Sequence, residues 1–294
     1  MRVCKEWFPD NDGFYMDDTL VLQIQILAKN IQNDWDFTII ITGQGEVRVG
    51  KSKLAMDIGC YWSYLMWTMY GIKVPYTVKD NFVFDGAELI SKGNNLGQNY
   101  KHPVLIFDEA GADLEGRKAM QQQTQEVIDY LRECGQYNML NIMVLPEYFD
   151  LPKGIALSRS IFLLDVYYSS DEEGKFIRGY FNFFSKRQKK WLYLKGKRDL
   201  DYYAAKKDFN GRFYNFYQID EKEYREAKRN ALTKRESKRR SKFQMQRDAC
   251  WYLLWSEYGM TQQDIGIRME GLTGIFVPQQ TIADGISHFK AEND

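Results

Sequence analysis

Short apolar runs alternate with helical periodicity over the first 170 residues. Leu20, Ile24, Leu27 and Ile31 have helical spacing, and further helical patterns cover residues 52–70 and 117–134. The runs that predict strands are residues 37–42, 81–84, 104–107, 141–145 and 161–167. Strands that are apolar on both faces are typical of parallel sheets. Their alternation with helices predicts an α/β fold with a mainly parallel central sheet.

The pattern changes after residue 168. Residues 176–184 and 191–194, separated by turns that include 186–190, predict an antiparallel β extension. The predicted domains are a lead-in helix (1–36), an α/β domain with its β extension (37–220), a basic linker (221–246) and a small all-α domain (247–294).

Composition excludes several classes of protein. The 294 residues are 44% hydrophobic and 27% charged, as in ordinary globular proteins. Four scattered cysteines and two histidines argue against a disulfide framework or a zinc site. The sequence offers no signal peptide and no apolar stretch long enough to cross a bilayer. We expect a cytoplasmic protein, or one made in a host's cytoplasm, without membrane insertion.

A phosphate-binding motif follows the first strand of the sheet. The sequence Gly45-Glu46-Val47-Arg48-Val49-Gly50-Lys51-Ser52 matches G-x-x-x-x-G-K-[ST] between a predicted strand and a predicted helix. Glycines let successive backbone N–H groups face phosphate oxygens, and the helix adds its positive N-terminus. Lys51 is expected to reach the β- and γ-phosphates, and the Ser52 hydroxyl to bind Mg²⁺.

Two carboxylates end the strand at 104–107. We assign Asp108 to Mg²⁺ and Glu109 to the attacking water as general base. Together with the phosphate loop, they predict hydrolysis of ATP, which we prefer to GTP although no motif that recognises the base decides between them.

The two motifs and the residues after them resemble the additional-strand P-loop ATPases, which include RecA, AAA+ and FtsK–HerA proteins. The stretch over 108–111, Arg117, 131–138 and 141–145 is most similar to the FtsK–HerA branch, with its viral genome-packaging and zonula occludens toxin-like ATPases. The resemblance covers residues 37–170. It implies an oligomeric ring and a polar sensor after the strand at 141–145, where this chain has Glu147 instead of the usual Gln or Asn.

In such rings an arginine of one subunit stabilises charge at the neighbour's γ-phosphate. Arg159 is the first choice for this residue, and Arg117 and Arg132 are alternatives. Arg48, inside the phosphate loop, could act within its own subunit.

The C-terminal tail resembles a helix-turn-helix. Thr261 and Asp264 predict a capped helix, and a further helix begins after Pro278. Gln279, Gln280 and Thr281 would then face DNA bases. The tail carries a net charge of −5, which is unfavourable for contacts with DNA phosphates, and a protein-docking role is the alternative.

Two basic segments could contact DNA phosphates. Residues 222–247 hold 11 basic and 3 acidic residues, including Lys238, Arg239 and Arg240. Residues 186–190 form the second segment. A solvated helix and an ordinary hairpin tip are the structural alternatives.

These features predict a Mg²⁺–ATP-dependent motor that moves double-stranded DNA, with viral genome packaging as a setting. The alternative is a DNA-binding ATPase switch that loads a helicase or regulates transposition or replication. A third possibility is a P-loop protein whose tail binds only a protein partner.

Overall fold

The computed structural model describes residues 1–46, 48–110, 122–238 and 242–293. The chain divides into two compact units, Met1–Arg229 and Asn230–Asp294.

The first unit is built on a seven-stranded sheet whose order is β4-β5-β6-β3-β7-β8-β9. Strands β3 to β7 are parallel where they pair, whereas β8 and β9 continue the sheet antiparallel to their neighbours. This arrangement confirms the predicted α/β fold with a mainly parallel sheet and a β extension. The sheet strands are β3 Phe37–Thr42, β4 Phe82–Val83, β5 Val104–Phe107, β6 Leu140–Val144, β7 Phe162–Ser170, β8 Phe176–Phe184 and β9 Phe209–Arg212.

Strand β3 lies in the middle of the sheet, between β6 and β7, and all six of its residues are buried. Phe37 pairs with Leu140 and Ile41 with Val144, so the carboxyl ends of β3 and β6 lie side by side. Loops after these ends therefore converge at one edge of the sheet, where open α/β folds place their ligands.

Helices cover the sheet or lead into it. A small antiparallel ladder, β1 (Arg2–Val3) with β2 (Phe14–Tyr15), precedes α1, whose first turn is capped by the Asp17 carboxylate. The following helices are α1 Asp18–Asn30, α2 Lys51–Tyr70, α3 Val78–Asn81, α4 Gly86–Asn99 and α5 Gln122–Glu133.

One predicted strand is wrong. Residues 186–190 are not a turn and 191–194 are not a strand, because Lys186–Gly196 forms a helix, α6. Its buried residues are Lys189, Leu192, Tyr193 and Gly196, which have the i, i+3, i+4, i+7 spacing of a helix face. The Lys189 ammonium donates to the Ala156 and Leu157 carbonyls. A lysine thus occupies a core position that hydropathy assigns to the surface.

The second unit holds three helices beyond the end of α7 (Glu221–Lys238), which crosses the boundary between the units. They are α8 Lys242–Ser256, α9 Gln262–Thr273 and α10 Gln279–Asn293. Trp251, Ile265, Ile282 and Ile286 form their common core. The capping box of Thr261 and Asp264 at the start of α9 is present as predicted. No helix among the described residues is both long and apolar enough to cross a membrane.

Candidate nucleotide site

The predicted phosphate loop connects β3 to α2 at the carboxyl edge of the sheet. Gly45 and Gly50 have φ angles of 75° and 109°, a backbone region that glycine adopts without strain. The Gly43 and Gly45 N–H groups donate to the Pro146 carbonyl after β6. Val49 is buried, Glu46 and Arg48 are exposed, and Val47 lies outside the described residues. The loop therefore packs against the segment that follows β6. The N-terminus of α2, which follows the loop, lies at the edge of the sheet that carries Asp108 and Glu109.

Asp108 and Ser52 meet at this edge although they are 56 residues apart. The Ser52 Oγ donates to both Asp108 oxygens, at 3.0 and 3.1 Å. Asp108 is 1% exposed. Glu109 follows it with a left-handed backbone (φ 65°), and its side chain is 37% exposed. The structure thus brings Lys51, Ser52, Asp108 and Glu109 to the same edge of the sheet.

The residues present fit a magnesium ion. Hydroxyl and carboxylate oxygens are the ligands that Mg²⁺ prefers, usually one or two from protein with the rest from phosphates and water. Among the described residues, no group of three or more His, Cys, Asp or Glu side chains could hold a metal alone. Ser52 and Asp108 would therefore share the ion with a bound nucleotide.

Helix α7 contributes two side chains that the sequence did not assign to the site. The Tyr224 hydroxyl donates to Asp108 Oδ2. The Lys228 Nζ lies 2.9 Å from Asp108 Oδ2 and 2.8 Å from Glu109 Oε1. Both residues fall in the segment predicted to be a solvated basic helix or linker. Their i, i+4 spacing places them on one helix face, which is the only signal in the sequence for this role.

The charges of the site depend on partial burial. Desolvation lowers the pKa of Lys51, although the Glu109 and Asp108 carboxylates oppose it. For Lys228 desolvation acts in the same direction, but Asp108 and Glu109 outweigh it, so its pKa is raised. Burial, reinforced by Asp108, raises the pKa of Tyr224, which keeps its hydroxyl a donor. The site therefore combines the carboxylates of Asp108 and Glu109 with the ammonium groups of Lys51 and Lys228.

A second polar cluster lies beside the loop, formed by residues after β6 and within β7, where Asp165 pairs with Thr42 at the end of β3. Gln44 Nε2 donates to Asp165 Oδ2 at 2.7 Å, and Asn182 Nδ2 donates to the same oxygen at 3.3 Å. Glu147, at the predicted sensor position, accepts hydrogen bonds from the Phe149 N–H at 3.1 Å and the Tyr202 hydroxyl at 2.5 Å. Desolvation raises the pKa of Glu147. Gln44 connects this cluster directly to the start of the phosphate loop.

Arg159 has hydrogen-bond partners within the chain. Its guanidinium donates to the Leu131 carbonyl, the Asp36 carboxylate and Cys134 Sγ, and its side chain is 17% exposed. Asp36 immediately precedes β3, so this ion pair lies at the opposite end of β3 from the phosphate loop. The structure gives Arg159 an internal contact, and its role at a neighbour's phosphate stays a prediction. Arg132 pairs with Asp129 at 3.0 Å, and Arg117 lies outside the described residues.

The residues predicted to contact DNA are only partly described. Gln279, Gln280 and Thr281 form the exposed first turn of α10, where Gln280 Nε2 donates to Asp284 Oδ1 at 2.8 Å. Lys238 ends α7, but its side chain lies outside the described part of the chain, as do Arg239 and Arg240 entirely.

No protein-family model matches the sequence, and no curated protein is detectably similar to it. Among solved structures, the chain is similar to the genome packaging NTPase B204 of Sulfolobus turreted icosahedral virus 2 in complex with sulfate. The identity is 14% and the TM-score 0.36, over 52% of this chain and 93% of that chain. B204 from Sulfolobus turreted icosahedral virus, a DNA-packaging ATPase, gives 16% identity and a TM-score of 0.36, over 53% and 95%. Similarity at this level does not assign an activity to the chain.

Proposed function

We propose that this chain hydrolyses ATP with Mg²⁺ at the site formed by the phosphate loop, Asp108 and Glu109. The observation that carries the proposal is the 3.0 Å hydrogen bond from Ser52, in the loop motif, to Asp108, with Glu109 beside it. A metal-binding hydroxyl, a metal-binding carboxylate and a candidate base at one edge of a parallel sheet are the parts that phosphoryl transfer needs.

Each residue has a role that follows from its chemistry. Lys51 supplies positive charge to the β- and γ-phosphates, and the loop N–H groups bind their oxygens. Ser52 and Asp108 would hold Mg²⁺, which neutralises charge on the phosphates when bound. Glu109 accepts the proton of the water that attacks the γ-phosphate. Because Glu109 is the more exposed carboxylate, it is the one that water can reach.

The test is steady-state ATP hydrolysis by Glu109→Gln. The amide cannot take the proton, so the rate is expected to fall by about 100-fold or more while nucleotide binding persists. Glu173→Gln, in the exposed turn of the β7–β8 hairpin, is the matched control and should hydrolyse at the wild-type rate. Unchanged hydrolysis by Glu109→Gln would refute the assignment of the base.

We propose further that hydrolysis drives a homo-oligomeric ring along double-stranded DNA. Two surfaces support DNA contact. The exposed side of α6 presents Arg187, Lys190 and Lys195, with Lys195 Nζ 5.0 Å from the ring of Trp191, which is 46% exposed. The exposed first turn of α10 is the second surface. Lysine and arginine bind phosphates without sequence preference, as a motor requires.

DNA length tests the motor. A translocase hydrolyses ATP faster on long duplex than on an equal mass of short fragments, because it restarts less often. Hydrolysis that is slow and indifferent to DNA would instead support the assembly switch. One observation favours that second candidate, namely that the Lys228 ammonium pairs with both Asp108 and Glu109. If the chain showed no salt-sensitive affinity for DNA, we would infer that the tail is a protein-docking module.

A further inference from the structure

We propose that Lys228 and Mg²⁺ exclude one another at Asp108, so that α7 must release its lysine before metal–nucleotide can bind productively. This inference rests on the proposed function and adds two positioning residues, Tyr224 and Lys228, to the site. Neither belongs to the phosphate-loop motif or to the acidic pair.

The first step concerns space and charge. The Lys228 ammonium is within 2.9 Å of Asp108 and 2.8 Å of Glu109. Asp108 is almost fully buried, and a buried carboxylate requires a compensating cation. The ammonium supplies that charge at Oδ2, one of the two oxygens through which Asp108 would hold the metal. Two cations a few ångströms apart repel strongly in a partly dry site, so both cannot remain there.

The second step concerns the second hydrogen bond to the same oxygen. The Tyr224 hydroxyl also donates to Asp108 Oδ2. Oδ2 thus accepts from Tyr224, Lys228 and Ser52, whereas among the described residues Oδ1 accepts from Ser52 alone. A metal that binds Oδ2, directly or through its water shell, therefore requires at least one of these donors to leave.

The third step is that the position of α7 is fixed by packing. The Tyr224 ring packs edge-on against Phe82 of β4, with centroids 5.6 Å apart, and lies 6.0 Å from Phe84. Just before the helix, the Gln218 Oε1 accepts from Lys53 Nζ at 3.1 Å, inside α2. These contacts anchor the start of α7 on α2, which carries Ser52, and on β4, which pairs with β5.

Nucleotide binding as a function of Mg²⁺ concentration tests the inference without relying on activity. The probe is fluorescent mant-ATP, titrated at fixed pH with the full chain. Lys228→Met removes the charge and keeps the aliphatic length, and it should lower the half-saturating Mg²⁺ concentration at least about tenfold. Affinity for metal-free mant-ATP should change much less. Lys222→Met, exposed on the same helix, should leave the Mg²⁺ requirement unchanged.

Two further variants separate charge from structure. Lys228→Arg retains a cation and should keep a Mg²⁺ requirement close to that of the wild type. Tyr224→Phe keeps the ring packing, removes one donor and should lower the requirement by a smaller factor. Equal shifts for the Met and Arg variants, or no shift for Lys228→Met, would overturn the inference while leaving ATP binding intact. Failure of the wild type to bind mant-ATP with Mg²⁺ would refute the proposed function and this inference together.

Discussion

The protonation of Asp165 tests the structure of the sheet edge beside the phosphate loop. Its side chain is fully buried, and Oδ1 has no hydrogen-bond partner among the described residues. Burial raises the pKa of Asp165 from 3.8 to about 7, although the hydrogen bonds from Gln44 and Asn182 oppose the rise. The folded protein should therefore hold a proton there at a pH where the unfolded chain has lost it.

The sign and size follow from proton linkage. Between pH 4 and pH 7 the folded state binds more protons than the unfolded state, so the free energy of unfolding falls as pH rises. The contribution is fully present below pH 3.8 and is lost as pH rises through about 7. A displacement from 3.8 to about 7 corresponds to at most about 4 kcal/mol. Asp57, whose pKa burial raises to about 6, acts with the same sign, so the wild type alone cannot identify Asp165.

Asp165→Asn isolates the effect because the amide has nearly the same shape and cannot ionise. Thermal unfolding of both proteins should be followed from pH 5 to pH 8. About 2.7 kcal/mol of this contribution develops between pH 5 and pH 8, so over that range the variant should gain about 5 to 11 °C in midpoint on the wild type. Parallel midpoint curves would refute the reasoning, because they would mean that Asp165 does not titrate differently in the folded and unfolded states.

Three further predictions test packing, DNA contact and the metal. Gly271→Ala should stabilise the second unit by about 1 kcal/mol in chemical unfolding, because its Cβ meets open space. Gly285→Ala should destabilise it by about 1–3 kcal/mol, because its Cβ would lie 2.7 Å from a buried carboxylate oxygen. Replacing Arg187 and Lys195 by alanine should weaken duplex binding and reduce its salt slope by about two, measured by fluorescence anisotropy. Ser52→Ala should raise the Mg²⁺ concentration needed for tight mant-ATP binding by about tenfold, and an unchanged requirement would contradict the ligand assignment.

The centre of the fold was predictable because local sequence and tertiary role agree there. An uninterrupted apolar run is buried on both faces as β3, and the glycines of the loop adopt the positive φ angles for which glycine is suited. Asp108 could be placed at the site because the carboxyl ends of parallel strands share one edge. These inferences need only periodicity and strand direction.

Helices α4 and α6 were missed or wrongly assigned because tertiary contacts override local preference in them. Helix α4 contains Gly93 and Gly97, which disfavour helices, yet a Cβ at either position would overlap a tyrosine side chain of the adjoining segment. Close packing therefore requires the glycines. The buried face of α6 includes Lys189, and burial lowers the pKa of this lysine to about 7. Because one buried position is a lysine, the spacing of hydrophobic residues alone does not reveal the helix.

Two lysines show that positive charge along the sequence does not identify a DNA surface. Lys189 donates to main-chain carbonyls in the core, and the partly buried Lys228 pairs with Asp108 and Glu109. Both lie in segments that the sequence analysis proposed for contact with DNA phosphates. Part of the positive charge of residues 222–247, that of Lys228, is therefore paired with carboxylates of the site. The cations of α6 other than Lys189 are exposed, and Trp191 of the same helix is exposed too. Among the described residues, α6 is therefore the better candidate for the proposed DNA contact, although its sequence was assigned to a hairpin.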